Sequence, residues 1–150
     1  MRESYGRQAA DEALAVEGRE LLRQSWPSVP MPDRDYLIKH GATAYIWALA
    51  RSIPILAAWV EGRRNESGEL PVKFDAAGLV SWARDYSGSD VAAHAAFFVA
   101  CLWTPYQAPS YGWRFDALEF ATVASEADLA PILAWQRKPV WPHSLARSKR

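Results

Sequence analysis

Cysteine is almost absent: Cys101 is the only one in 150 residues, which excludes an internal disulfide and fits a reducing compartment, the cytoplasm. The eight glycines are scattered. No Gly-x-Gly-x-x-Gly fingerprint, phosphate-binding loop or Gly-x-Ser-x-Gly elbow occurs, so nothing supports nucleotide binding or hydrolase chemistry through those devices. With three histidines and one cysteine there is no Cys-x-x-Cys or His-Glu-x-x-His spacing, and neither a metal nor any other cofactor is expected. The residues Met1–Arg7 lack the apolar run of a secretory signal. Gly41–Val60 alone approaches the length of a membrane span. Arg51 near its middle costs roughly 2.5–3.5 kcal/mol on insertion scales and Pro54 interrupts the hydrogen-bond ladder, so no membrane association is expected. Acid is missing from the C-terminal end. All 17 acidic residues lie at or before Asp128, so residues 1–136, with 12 basic groups, balance at −5, while residues 137–150 carry +5.

Bulk is what the chain has in plenty. Half of the residues are hydrophobic, 13% are aromatic and eight are tryptophan, so a single domain of this length can bury a large core without disulfide or metal. Residues 1–142 are expected to form that domain and 143–150 a basic, disordered tail. No long alternating run calls for a sheet, and no internal repeat is evident. The expected class is all-α: a compact, bundle-like domain of about six helices.

The central element is Asp90–Trp103. Ser89 or Asp90 can cap it, Pro105 stops it, and between these signals nothing is charged and apolar residues point in all directions, the pattern of a helix enclosed by protein. At 1.5 Å per residue it spans roughly 21 Å, the width of a small domain. The other expected helices are 2–25, then one from Tyr36 to about Ser52 capped by Asp33 or Asp35, and continuing across a kink at Pro54 to Gly62. Ala76–Tyr86 follows, capped by Asp75, and a further helix starts at Phe115–Asp116, whose apolar residues Leu118, Phe120, Ala121 and Val123 include neighbours at three-residue spacing. The last runs from Leu129 to about Lys138, with Asp128 as N-cap so that Pro131 falls in the first turn, where its missing amide has no intrahelical partner. Three prolines in 27–32 make an extended connector. Ala76–Tyr86, Asp90–Trp103 and Tyr36–Ser52 form the inner layer.

Chemical constellations are few. His94 and Cys101 lie two turns apart on one helix, about 10 Å along the axis, whereas a nucleophile and its base need about 3 Å. His94 is therefore read as a partner of Asp90 one turn earlier, and Cys101 as a small core hydrophobe. Arg51 lies among apolar residues and needs a counter-charge, for which Glu119 or Asp116 are the candidates. The segment Thr104–Arg114 has the composition of an interface: Tyr106, Tyr111, Trp113 and Arg114 on a proline-stiffened loop. These aromatics either close over the core as a lid or stand exposed for recognition. The expected function is a non-enzymatic cytoplasmic protein that binds another macromolecule, a protein, through Tyr106, Tyr111, Trp113 and Arg114. The alternatives are a small helical enzyme with a polar cavity around His94, Arg51 and Asp90, and weak nucleic-acid association through Arg147, Lys149 and Arg150.

Overall fold

In the computed structural model, residues 31–86 and 89–143 are described, and among them every regular element is helical. The chain is an all-α bundle-like domain. The α-helices are α1 (Arg34–His40), α2 (Ala42–Ser52), α3 (Pro54–Glu61), α4 (Ala76–Ser81), α5 (Asp90–Trp103), α6 (Ala117–Val123) and α7 (Glu126–Arg137). A π-turn at Trp82–Tyr86 extends α4 and a short 3-10 turn, Ala108–Tyr111, follows α5. The expected helix over 2–25, most of the proline connector and the basic residues Arg147, Lys149 and Arg150 lie outside the described residues.

α5 is enclosed as its composition requires. Ser89 caps it by accepting the Ala92 amide at 3.3 Å, and Ala92, Ala95, Ala96, Phe98, Val99, Ala100 and Leu102 are all buried. Around it pack α2, α3, α4 and α6. Its run of alanines lets neighbouring backbones approach closely, while Phe98 supplies bulk, edge-on against Phe115 at 5.1 Å and Trp135 at 5.4 Å.

The expected helix from Tyr36 through Pro54 is instead three helices. Gly41 sits at φ 90°, ψ 171°, a region that side chains with a Cβ rarely enter, and this separates α1 from α2. At the second break, Ile53 is extended (φ −90°, ψ 109°) because a residue before proline is pushed out of the helical region, and the Pro54 ring would collide with a carbonyl of the preceding turn. The kink is therefore a full break, and α3 folds back against α2. Ser52 does not cap α3; its hydroxyl donates to the Leu49 carbonyl at 2.6 Å and closes α2.

The cap of α3 comes from elsewhere in the chain. Asp128, 2% exposed, accepts the Ile55 amide at 2.7 Å through Oδ1 and the Ser125 hydroxyl at 2.8 Å through Oδ2. This corrects the expected start of the last helix. Ser125, not Asp128, is the N-cap, accepting the Asp128 amide at 3.2 Å, and α7 begins at Glu126. Pro131 thus lies inside the helix; the carbonyl it leaves without an intrahelical donor belongs to exposed Ala127. Asp128, Ile132 and Trp135 fall at helical spacing on the inward face. α6 is shorter than its apolar residues suggest. Seven residues capped by Asp116 bury only Phe120, leaving Leu118 83% exposed and Val123 outside the core.

Candidate functional site

A wide groove of about 1080 Å³, rich in aromatic side chains, opens among the described residues. Its first wall is the turn into α4. The indole N–H of Trp47 donates to the Pro71 carbonyl at 3.1 Å and fixes the extended segment that delivers buried Phe74 to the floor. Phe74 then continues the core aromatics, edge-on to Trp47 at 4.7 Å and to Trp103 at 5.7 Å. Asp75 follows at the rim, its Oδ1 accepting the Gly78 amide at 2.8 Å as the cap of α4.

The second wall is the end of α5 and the loop after it, 104–114. The loop is folded, not loose: the Ala108 amide donates to Thr104 O at 2.9 Å, the Ser110 hydroxyl to Gln107 O at 2.7 Å, and the Trp113 amide to Ala108 O at 3.0 Å. Gly112 at φ 73° makes the reversal that allows the last of these. The sequence alternatives of lid and exposed recognition loop divide by residue. Ala108 is buried and Trp113, 8% exposed, is folded onto the core, whereas Tyr106 is 74% and Tyr111 58% exposed. Tyr111 lies against Trp113, ring centroids 4.7 Å apart, so the buried ring supports the exposed one. Arg114 is exposed but is not part of the groove lining.

The third wall is the segment after α7. Val140 O accepts two hydrogen bonds, from the Trp135 indole at 2.9 Å and the Tyr45 hydroxyl at 3.4 Å. That double anchor holds the following Trp141 edge-on to Trp135 at 5.2 Å and buries Pro142. His143, expected at the start of the tail, lies against Trp103 with ring centroids 4.5 Å apart. Trp141 and His143 complete the groove and were not singled out as site residues from sequence; the run Pro139-Val140-Trp141-Pro142 was the available signal.

Of the residues of the enzyme alternative, His94 and Asp90 stand one turn apart on α5, and Arg51 has a partner of its own. Arg51 faces Glu61 at 3.6 Å, correcting the expected partners Glu119 and Asp116. Glu61 is also gripped by Arg64, at 2.6 Å and 3.1 Å, and Arg64 donates to Gly68 O at 2.9 Å. Burial lowers the Arg51 guanidinium pKa, and Glu61 draws it back up. Arg51 and Arg64 line a second cavity of about 530 Å³ with Tyr36, His40 and Trp47, and neither His94 nor Asp90 belongs to it. His94 faces Glu119 at 3.8 Å, not Asp90, and its Nδ1 is buried without a hydrogen bond. The Cys101 thiol donates to Trp113 O at 3.6 Å, and burial pushes its pKa up, the opposite of an activated nucleophile. Among the described residues no three His, Cys, Asp or Glu side chains are grouped to hold a metal ion, and no helix is long and apolar enough to cross a membrane. No protein family, curated protein or solved structure matches the chain.

Proposed function

We propose that this chain is a non-enzymatic protein-binding module that takes hold of its partner in the aromatic groove. The observation that supports this reading is the pairing of exposure with support at Tyr106 and Tyr111. Both present ring surface to solvent, yet they stand on a loop closed by main-chain hydrogen bonds and anchored through Ala108 and Trp113. Rings held in this way lose little freedom on binding, which is what makes tyrosine and tryptophan effective anchors at interfaces. The site is narrower than the loop read from sequence. Tyr106 and Tyr111 make first contact, Trp113 is their base, and Trp103 and Trp141 widen the surface beyond the loop. Arg114 lies outside the lining and serves at most as rim charge. A single thiol that is half-buried and bonded to a carbonyl suits a reducing compartment, and the cytoplasm is the proposed location.

The test is site-specific photocrosslinking in cells with benzoylphenylalanine at position 106. A discrete protein adduct is expected, and Tyr111→Ala should remove it. The same probe at Val72, which is more exposed than Tyr106 but lies outside the groove, should give none. Equal adducts at both positions, or no adduct at 106, would refute the reading.

A further inference from the structure

We infer that the groove selects a methylated lysine side chain on the partner peptide, an inference that rests on the proposed function and names the chemistry that function would read. Charge complementarity carries it. Six aromatic residues line the groove, Phe74, Trp103, Tyr106, Tyr111, Trp113 and Trp141, and the faces of such rings are negative. Among the described residues, Asp75 supplies the one carboxylate of the lining and no lysine or arginine stands there; the other titratable side chains are His143, Tyr106 and Tyr111. A site rich in aromatic rings with one carboxylate attracts cations and disfavours anions.

The state of Asp75 narrows the class of cation. Its Oδ1 is occupied by the Gly78 amide, and its Oδ2 is turned toward the same residue, into the space a side chain at position 78 would fill. The carboxylate therefore contributes charge to the groove while one of its oxygens is engaged in capping α4. An ordinary ammonium leaving water must replace three hydrogen bonds, and in this lining the oxygens of Asp75, Thr104, Tyr106, Gln107 and Tyr111 are set among a larger area of ring and aliphatic surface that offers none. A trimethylated ammonium has no N–H to satisfy and a wide apolar surface to lay on the rings, so its desolvation is cheaper and its contact larger. The groove's volume, about 1080 Å³, leaves room for the residues that flank the modified side chain.

Three glycine-flanked peptides test this against the full chain by tryptophan fluorescence titration: one with trimethyl-lysine, one with unmodified lysine, and one with the neutral analogue in which carbon replaces the quaternary nitrogen. Saturable binding of the trimethyl-lysine peptide is expected, with both others roughly fivefold weaker or more, the ratio of a modest cation–ring attraction. Asp75→Asn retains a capping oxygen for α4 while removing the charge, so it should cut the preference over the neutral analogue by a similar factor and leave the unfolding temperature nearly unchanged. Equal affinity for the neutral analogue, or no binding of the trimethyl-lysine peptide, overturns the inference. Free choline binding as tightly as the peptide overturns the assignment to a peptide. The photoadduct at position 106 separates the two readings: an adduct without charge discrimination leaves protein binding standing alone, and discrimination without an adduct leaves only the cation site.

Discussion

Replacing Asp128 with alanine should be among the most damaging single changes available at a polar position. The side chain is buried and reaches from α7 into the first turn of α3, where Pro54 has no amide to offer and Ile53 no capping oxygen. Removal strips the Ile55 amide of its partner at 2.7 Å, and an orphaned buried donor costs about 1–3 kcal/mol. Loss of a carboxylate at the positive end of a helix adds about 0.5–1 kcal/mol, and the Ser125 hydroxyl at 2.8 Å loses its acceptor as well. A total of about 3 kcal/mol is expected, which for a chain of this size lowers the unfolding temperature by roughly 6–12 °C. Thermal unfolding followed by far-UV circular dichroism measures it. Asp128→Asn keeps an oxygen for Ile55 and should lose less than half as much. An alanine variant within about 2 °C of the parent would refute the idea that one helix borrows its cap from another.

Phe98→Ala should cost about 3–5 kcal/mol in urea unfolding, since the ring is buried between Phe115 and Trp135; a loss under about 1 kcal/mol would mean that α5 is not the enclosed centre. Gly41→Ala should cost about 1–3 kcal/mol, because open space surrounds the site and backbone strain at φ 90° is the whole effect. Burial, with a smaller contribution from the Asp33 carboxylate, pushes the Tyr45 hydroxyl up to about 12. The unfolded chain releases that proton near 10, so between these values the folded state binds more protons and stability falls as pH rises, by about 2–3 kcal/mol in all. Tyr45→Phe should flatten that decline, measured as unfolding midpoint against pH.

Local signals explain which parts of this fold could be read in advance. α5 was legible to its ends because cap, apolar run and proline all agree, and Asp75 was legible as the cap of α4 from its place before an apolar run. The α2–α3 break turned on a rule about the residue before proline, which outweighed the continuous apolar pattern across Ile53. Asp128 was misplaced because its role is non-local: a Ser-x-x-Asp run can cap its own helix from either residue, and the choice is made by the Ile55 amide, 73 positions away. The groove divides similarly. Tyr106 and Tyr111 announced themselves by residue type and loop chemistry, but their division from Trp113 depends on the reversal at Gly112 and on Ala108 reaching the core. Trp141 and His143 join them only because Val140 O is held by Tyr45 and Trp135, a tertiary contact with no sequence signature.

The groove as the binding site is tested most directly by the indole N–H signals of the eight tryptophans, assigned by substitution and followed in nitrogen–proton correlation spectra during titration with the trimethyl-lysine peptide. Trp103, Trp113 and Trp141 line the groove and should shift together with one saturation curve, while Trp135, behind Trp141, moves less. Trp47 lines the second cavity, so its signal should stay in place. Shifts centred on Trp47, or no movement at Trp103, Trp113 and Trp141, would contradict the assignment of the groove.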